Sequence, residues 1–376
     1  MKTLILTIIL TSGFLFSQNV RVTDYKVPIS RATDLRVNGF WNWGQLGDSV
    51  SGNSASATAV FRNFYSSLPF AWFINLDATG GKNFGSYNHN VRLDGSIRKY
   101  IWQERDWFMF SRLTAQHIDY YKQIASQLTV GAGFGRYINA TALAKAVRIE
   151  EHLIREHVIT GFLPKETMIN IANIIERQAE YQNLYGEAYE TRWFDDIERE
   201  IRLTDVMETS NIGSIGILRI RQVLFEINEK VNQRYYGWDV STGILFKLTT
   251  FDKSNAGDPN LTINGRYSFP ISWRTQINTV AEIFTPTDTE FAKELNASAG
   301  VDFIYEMSNR INFVGGYRFG FFRPSIGPNR NDNQLSASFL FYIENNIYFG
   351  MNATYEKFSR SPRRLSTSIT LSYNLF

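Results

Sequence analysis

Hydrophobic and polar residues alternate along most of this chain. In the final stretch, LSTSITLSYNLF, the odd positions from Leu365 to Leu375 are mostly apolar and the even ones from Ser366 to Asn374 are polar. A β-strand sends successive side chains to opposite faces, so this pattern predicts a strand with one oily and one wet face.

The same alternation recurs upstream and predicts 14 strands of about ten residues each. A transmembrane β-strand needs about 9–11 residues, and single-chain bacterial outer-membrane barrels have even strand numbers. The fifth segment is the least clear, because Trp107–Phe110 is apolar on both faces. The predicted strands span 33–43, 55–65, 69–78, 88–99, 104–114, 126–137, 236–249, 259–269, 271–283, 295–305, 311–321, 335–343, 346–356 and 365–375.

The links between these strands alternate in length. The predicted long links are 44–54, 79–88, 116–126, 252–259, 285–294, 323–333 and 357–364, and the short ones are 66–69, 103–105, 269–272, 308–310 and 344–346. Long outer loops and short periplasmic turns are typical of an outer-membrane barrel, whereas a soluble β-sandwich has no reason to alternate so regularly. In a closed barrel the last strand pairs with the first, and the oily face meets lipid.

The last strand and Phe376 resemble the C-terminal signature of outer-membrane β-barrel proteins. In that signature the final aromatic residue is in phase with the hydrophobic alternation, whereas here the alternation runs through Leu371, Tyr373 and Leu375. The resemblance covers residues 33–138 and 235–376. It implies a porin-like architecture and identifies no individual family.

Residues 139–234 break the alternation and carry apolar residues at helical spacing. Four amphipathic helices are predicted, enough for a small bundle with its own core. This segment joins the sixth and seventh strands, so the order of the links predicts a helical domain in the periplasm. It is expected to dock a periplasmic protein or peptidoglycan, or to gate or plug the barrel; an insertion without any coupling to the barrel is the alternative.

Composition adds an export signal to this picture. MKTLILTIILTSGFLFSQ is typical of a signal peptide cleaved near Ser17–Gln18, with a buried N-terminal helix or membrane anchor as the alternative. The predicted organisation is therefore a signal peptide (1–18), a first half-barrel (19–138), the helical domain (139–234) and a second half-barrel (235–376). The location that follows is the outer membrane of a Gram-negative bacterium.

Charge and residue counts exclude several classes of protein. The net charge of +3 gives no reason to expect a nucleic-acid partner held by bulk charge. There is no Cys, hence neither a disulfide nor a lipid anchor on an N-terminal Cys. The 29 Phe, 19 Tyr and 8 Trp, with a slightly negative mean hydropathy, suit a surface whose rings meet lipid.

Motifs that could carry chemistry are weak. His152 and His157 in EEHLIREH are five residues apart, which favours a solvated helix face over a metal site. A barrel hydrolase would need His89 or His117 to meet a carboxylate such as that of Asp94 or Asp119. GAGFGR (131–136) does not match GxGxxG and suggests close strand packing or space in the lumen. We expect no metal, no cofactor and no enzymatic activity.

The strongest functional feature is a set of charged residues on the polar face of the strands. With Lys247, Asp239 and Glu306 the tally is nine positive to six negative, which leans weakly toward anions. A salt-bridge network that closes the lumen is the alternative. We expect a channel for small polar solutes, gated or plugged by the helical domain; the second hypothesis is a structural docking subunit of an envelope complex. The candidate lumen residues are Arg36, Arg62, Arg92, Arg98, Arg112, Arg266, Arg274, Arg318, Asp77, Asp94, Glu282 and Asp302.

Overall fold

The computed structural model describes residues 19–102, 105–207, 211–288, 291–344, 347–359 and 361–373. The predicted signal peptide and Phe376 lie outside the described residues. Among the described residues, no helix is both long and apolar enough to cross a bilayer.

Fourteen strands form one antiparallel sheet in which each strand pairs with its neighbours in the chain. The predicted fold class, an all-β sheet of 14 antiparallel strands with an inserted helical domain, is confirmed, and a sheet of this kind fits an outer-membrane barrel. The strands are β1 Ser30–Leu46, β2 Ser49–Ser66, β3 Phe70–Asn83, β4 Ser86–Tyr100, β5 Trp107–Ile118, β6 Ala125–Asn139, β7 Tyr235–Thr249, β8 Asn260–Pro270, β9 Thr275–Pro286, β10 Leu295–Ser308, β11 Ile311–Arg323, β12 Arg330–Glu344, β13 Ile347–Phe358 and β14 Arg364–Tyr373.

Two links predicted to be long loops are mostly strand. The segments 44–54 and 79–88 belong to extended hairpins whose turns lie at Gly47–Asp48 and Phe84–Gly85. The hydrophobic alternation stops there because Gly and polar residues dominate both faces of the tips, with Leu46, Val50 and Phe84 as isolated apolar residues, but the backbone pairing continues. We call this end of the sheet the loop end. The opposite end, where the short links and the helices lie, is the helical end.

The pairing register shows which residues share a face. One face is apolar and exposed over much of its area, with Trp41, Leu335 and Ile369 among its accessible side chains. Trp107 and Trp238 flank Phe134 on this face, with ring centroids 5.1 and 5.7 Å from that of Phe134. An exposed apolar face of this kind fits contact with lipid, and we call this face the outward face.

The ambiguous fifth strand is explained by glycines on β6. Trp107 and Met109 lie on the outward face, whereas Phe108 points to the inner face and is fully buried. A Cβ at Gly133 would lie 2.4 Å from the Phe108 ring and 2.7 Å from the Val240 carbonyl oxygen. The GAGFGR stretch therefore provides close packing, as the sequence suggested.

Among the described residues, five α-helices lie between β6 and β7: α1 Thr141–Arg155, α2 Lys165–Glu176, α3 Gln178–Tyr185, α4 Tyr189–Arg202 and α5 Gly213–Leu224. The predicted second helix is divided at Arg177 into α2 and α3. Helix α1 is buried on nearly all sides, and its Leu143, Ile149 and Leu153 are fully enclosed. We call residues 140–234 the helical domain.

The segment that precedes β1 belongs to the core of the helical domain. Val20, Val22 and Tyr25 are buried in the same hydrophobic cluster as α1. Lys165 of α2 pairs with Asp24 at 2.6 Å, and the Trp273 indole donates to the Val20 carbonyl. Residues 19–29 thus connect the helical domain to the sheet.

Candidate functional site

The predicted lumen residues share the inner face of the sheet, with one exception. The registers place Arg36, Arg62 and Asp77 on one face of β1–β3, and the remaining strand residues follow in phase. The members on later strands are Arg92, Asp94 and Arg98 on β4, Arg112 on β5, Arg266 on β8, Glu282 on β9, Asp302 on β10 and Arg318 on β11.

Arg274 is the exception, since it lies in the turn between β8 and β9. Its guanidinium approaches the Glu151 carboxylate of α1 at 3.4 Å. Apolar and polar residues alternate through this turn in the segment 271–283, which is why the sequence pattern placed Arg274 on a strand. Arg274 contacts the helical domain and is not part of the wall.

Most of these charges pair along the wall and do not reach across the lumen. Arg62 pairs with Asp77 at 2.6 Å between β2 and β3. Arg318 pairs with Asp302 at 2.7 Å between β11 and β10. Two further pairs, Arg36–Asp34 at 2.8 Å and Arg92–Asp94 at 2.7 Å, lie within single strands. Neighbour pairs of this kind leave the middle of the lumen free.

A cluster around Asp239 shows that the inner face is concave. Arg98 of β4 reaches Asp239 of β7 at 3.1 Å, although two strands separate them in the sheet. Arg266 binds the same carboxylate and lies 4.4 Å above the Tyr137 ring. Arg98 lies 4.3 Å above the Phe108 ring. Two guanidiniums around one carboxylate leave a net positive charge on this part of the wall.

Arg112 and Glu282 make no ion pair within the described residues, and both are exposed. Exposed side chains lie on both faces of the sheet, with Trp41 on the outward face and Arg112 and Glu282 on the inner face. Both charges lie on the inner face without an ion-pair partner among the described residues.

The helical domain is joined to the inner face of β10 by a buried ionic network. Glu306, 1 % exposed, accepts hydrogen bonds from Arg148 of α1 at 2.5 Å and from Arg234 at 2.7 Å. It also accepts from the backbone and side-chain nitrogens of Asn232, which reaches Asn312 of β11 at 2.7 Å. Sequence placed Glu306 among the lumen charges and contained no signal for these partners.

The network includes a histidine that the sequence assigned to a solvated face. His152 is buried and bonds through Nε2 to the Glu229 carboxylate at 3.0 Å, and Arg148 pairs with Glu229 at 3.3 Å. The expected solvated face is therefore wrong for Glu150 and His152. The reason is that α1 is central and has neighbours on every side.

Helix α3 contacts the sheet at its first strand, β1. Glu180 accepts a hydrogen bond from the Arg31 backbone N–H at 2.7 Å. The Asn183 amide donates to the Thr33 carbonyl at 2.8 Å and accepts from the Thr33 N–H at 3.2 Å. The helical domain thus contacts both β1 and β10 at the helical end.

Glu150 is a buried carboxyl of α1. Its Oε1 accepts the Leu163 N–H at 2.7 Å. Burial raises the pKa of Glu150 to about 7, the Leu163 hydrogen bond opposes this rise, and nearby Glu151 adds to it. Because this site lies in the helical domain, the stability of that domain is coupled to pH.

His89 and His117 meet each other on the outward face at the loop end. His89 Nε2 lies 2.6 Å from His117 Nδ1, and the stacked ring centroids are 4.8 Å apart. The Asp119 backbone N–H donates to the His89 carbonyl. A hydrolase would need a carboxylate against one of these rings; Asp119 lines the same pocket as His89, and within the described residues no hydrogen bond joins a carboxylate to either ring. The described chain also contains no cluster of three or more metal-ligating side chains.

Comparison with known proteins gives no family. No protein-family profile matches the chain, and no curated protein matches it. Among solved structures, a loop-deletion mutant of OmpT, an outer membrane protein of Vibrio cholerae, is 9% identical over 92% of this chain and 99% of that chain, with a TM-score of 0.29. The CymD monoaromatic hydrocarbon channel is 10% identical over 94% of this chain and 90% of that chain, with a TM-score of 0.27. At these TM-scores neither likeness carries an argument about this chain.

Proposed function

We propose that this protein is an outer-membrane channel for small polar solutes, with the helical domain seated across its periplasmic mouth. The observation that carries the proposal is the attachment of one helical domain to β1 through α3 and to β10 and β11 through Glu306 and Asn312. In a closed 14-stranded sheet these strands lie on different sides of the mouth. A domain held at both therefore lies across the opening.

The charges on the inner wall are consistent with the proposed passage of polar solutes. Its charges pair with neighbours, remain partly accessible, and include the free Arg112 and Glu282. Charged side chains in a pore set ion preference. The positive surplus of the Asp239 cluster, where Arg98 and Arg266 share one carboxylate, favours anions.

The test is conductance in planar bilayers, measured for the intact chain and for a variant in which 141–233 is replaced by a short flexible linker. Circular dichroism and heat-modifiable migration in gels must first show that the variant is folded. We expect rare openings in the intact chain and stable conductance after deletion. The absence of conductance in both folded proteins would contradict the channel proposal.

Reversal potentials in a KCl gradient test the ion preference. Arg112→Ala should lower the preference for chloride, and Glu282→Ala should raise it, because each removes an unpaired charge from the wall. Equal reversal potentials for both variants and the parent would contradict the anion preference while leaving the pore itself intact.

A second candidate function is docking of a periplasmic protein. Leu184, Leu203, Ile215 and Leu218 are all more than half exposed on the helical domain. Exposed apolar side chains favour a protein partner over peptidoglycan. A photo-crosslinking residue at position 218 should capture a discrete partner in cells, and one at the exposed Glu187 should not; equal labelling at the two positions would remove this function.

A further inference from the structure

Within the described residues, neither terminal strand of the sheet has another strand on its outer edge. The ladders run from β1 to β14, and within the described residues none joins β14 back to β1. Leu35, Val37 and Trp41 of β1 are among the most exposed side chains, and so are Leu365 and Ile369 of β14. In a bilayer each unpaired backbone group costs several kcal/mol, so these edges must acquire partners.

Helix α3 already occupies one end of the β1 edge. Glu180 and Asn183, three residues apart on the helix, take the Arg31 N–H and both backbone groups of Thr33. These groups point away from β2, since antiparallel residues alternate between their two neighbours. The helix therefore occupies backbone hydrogen-bonding groups of β1 that β14 would otherwise bind in a closed barrel. We call this contact the α3 clasp.

Beyond the α3 clasp, the outer edge of β1 has no bonding partner among the described residues. By the same alternation, the next edge-facing residues of β1 are the odd positions from Leu35 to Trp43. Within the described residues, the odd positions of β14 run from Leu365 to Tyr373, and the pairing register assigns these positions to the outward face. Each set has five members. If outward residues of β14 lie opposite outward residues of β1, then inner residues also lie opposite inner residues.

We propose that the α3 clasp sets the register in which the barrel closes, with Leu371 opposite Val37 and Leu365 opposite Trp43. Pairing at or below Thr33 is blocked, because its edge groups are already bonded to Asn183. The helical domain therefore contributes to barrel closure itself. This holds whether or not the lumen conducts, so it is independent of the channel proposal.

The geometry of a closed barrel admits this register. Followed round the observed ladders, it gives a stagger of about 18 residues over the 14 strands. With a rise of about 3.3 Å per residue and a strand spacing of about 4.8 Å, the strand tilt is about 41°. Transmembrane barrels tilt by about 35–45°. Neighbouring registers also fit this range; the clasp excludes those that would pair β14 with Thr33 or Arg31, and the equal length of the two free edges selects this one among the rest.

Disulfide formation tests the register in the full chain, which has no Cys of its own. Three double-cysteine variants pair position 371 with position 37, 35 or 33, each in lipid vesicles with copper phenanthroline as oxidant. Directly opposite residues lie within disulfide reach, and a residue four positions away is about 13 Å distant. We expect the fastest crosslink at 37, a slower one at 35 and none at 33.

The role of the clasp is tested by adding Glu180→Ala with Asn183→Ala to each pair. The register of β14 on β1 should then shift. The rate of disulfide formation at position 35 or 33, relative to that at 37, should rise at least several-fold. Asn183→Ala alone is the milder variant if the double change does not fold, and Glu187→Ala is the control that should leave the ranking unchanged. A fastest crosslink at 35 or 33 in the parent, or no crosslink in a folded parent, would overturn the register. An unchanged ranking in the clasp variants would overturn the role of α3.

Discussion

Two carboxyl groups, Glu150 and Glu306, are both about 99% buried near the junction of helices and sheet, and their surroundings differ. Glu306 accepts from two guanidiniums and from Asn232, so its negative charge is compensated. Glu150 has one backbone N–H donor, and its pKa is raised to about 7 by burial. A buried charge is tolerated only where it is paired, and so these two residues should respond differently to substitution.

Glu150→Gln should make the chain more stable above pH 7 than its parent. The folded-state pKa of Glu150 lies above its unfolded value, so protonation stabilises the fold fully below pH 4.5 and this contribution is lost as pH rises through 7. Glutamine keeps an acceptor for the Leu163 N–H and cannot ionise. The gain should reach up to about 3 kcal/mol at pH 8 and vanish at pH 4. Thermal unfolding of both proteins from pH 4 to 8 measures it; parallel curves would contradict it.

Glu306→Gln should loosen the helical domain from the sheet. Arg148 and Arg234 would remain buried without their shared carboxylate, a loss that typically costs about 3–5 kcal/mol. Hydrogen exchange in α1 should speed up accordingly. Glu282→Gln is the matched control, because Glu282 is exposed on the same face and has no ion pair within the described chain. Equal exchange in both variants would argue against the network as an anchor.

Among the elements, β6 shows how side-chain size controls the wall. Its glycines at 131 and 133 receive the rings of Phe110 and Phe108 from β5. Arg98 then lies above the buried Phe108 ring. Small residues on one strand and large ones on its neighbour thus make a dense section of wall that presents the Asp239 cluster to the lumen.

Gly133→Ala should destabilise the sheet by roughly 1–3 kcal/mol, because the new Cβ overlaps both a ring and a backbone oxygen. Gly265→Ala is the control: its nearest neighbour would be Val240 Cγ2 at 3.9 Å, an ordinary contact. Urea unfolding in detergent compares the two. A Gly133 variant as stable as the Gly265 variant would show that β5 and β7 can move apart without cost.

For the whole molecule, the helical domain and the long hairpin tips lie at opposite ends of one sheet. The described short links lie at the helical end, and the tips at Gly47 and Phe84 lie at the loop end. If the sheet crosses the outer membrane, these ends face different compartments. The proposed cap works only if the helical end is periplasmic.

Labelling of single cysteines should separate the two ends. Leu203→Cys lies on the helical domain and Ile326→Cys in the link after β11; the native side chains are 76% and 91% exposed. A membrane-impermeant maleimide should label position 326 in intact cells and position 203 only after the outer membrane is permeabilised. The reverse pattern would put the helical domain on the cell surface.

Much of this architecture could be predicted from local pattern. The period of two residues identified all 14 strands and put Arg62 and Arg318 on the face opposite the apolar one, and the change to helical spacing marked the insertion. These properties depend on which neighbours a residue has within a few positions. Where both faces are polar, as at 44–54, the pattern vanished and the strand was missed.

The contacts of the candidate site came from tertiary structure alone. Arg98 and Asp239 are 141 positions apart, and Arg148 and Glu306 are 158 apart. Which charge meets which depends on the register of several ladders and on where the helices return to the sheet. The alternation of the chain therefore determined strands, faces and the insertion, because a strand exposes its periodicity locally. Only the fold decided which charges pair, which stay free and where α3 meets β1, because those depend on distances that no short stretch of sequence contains.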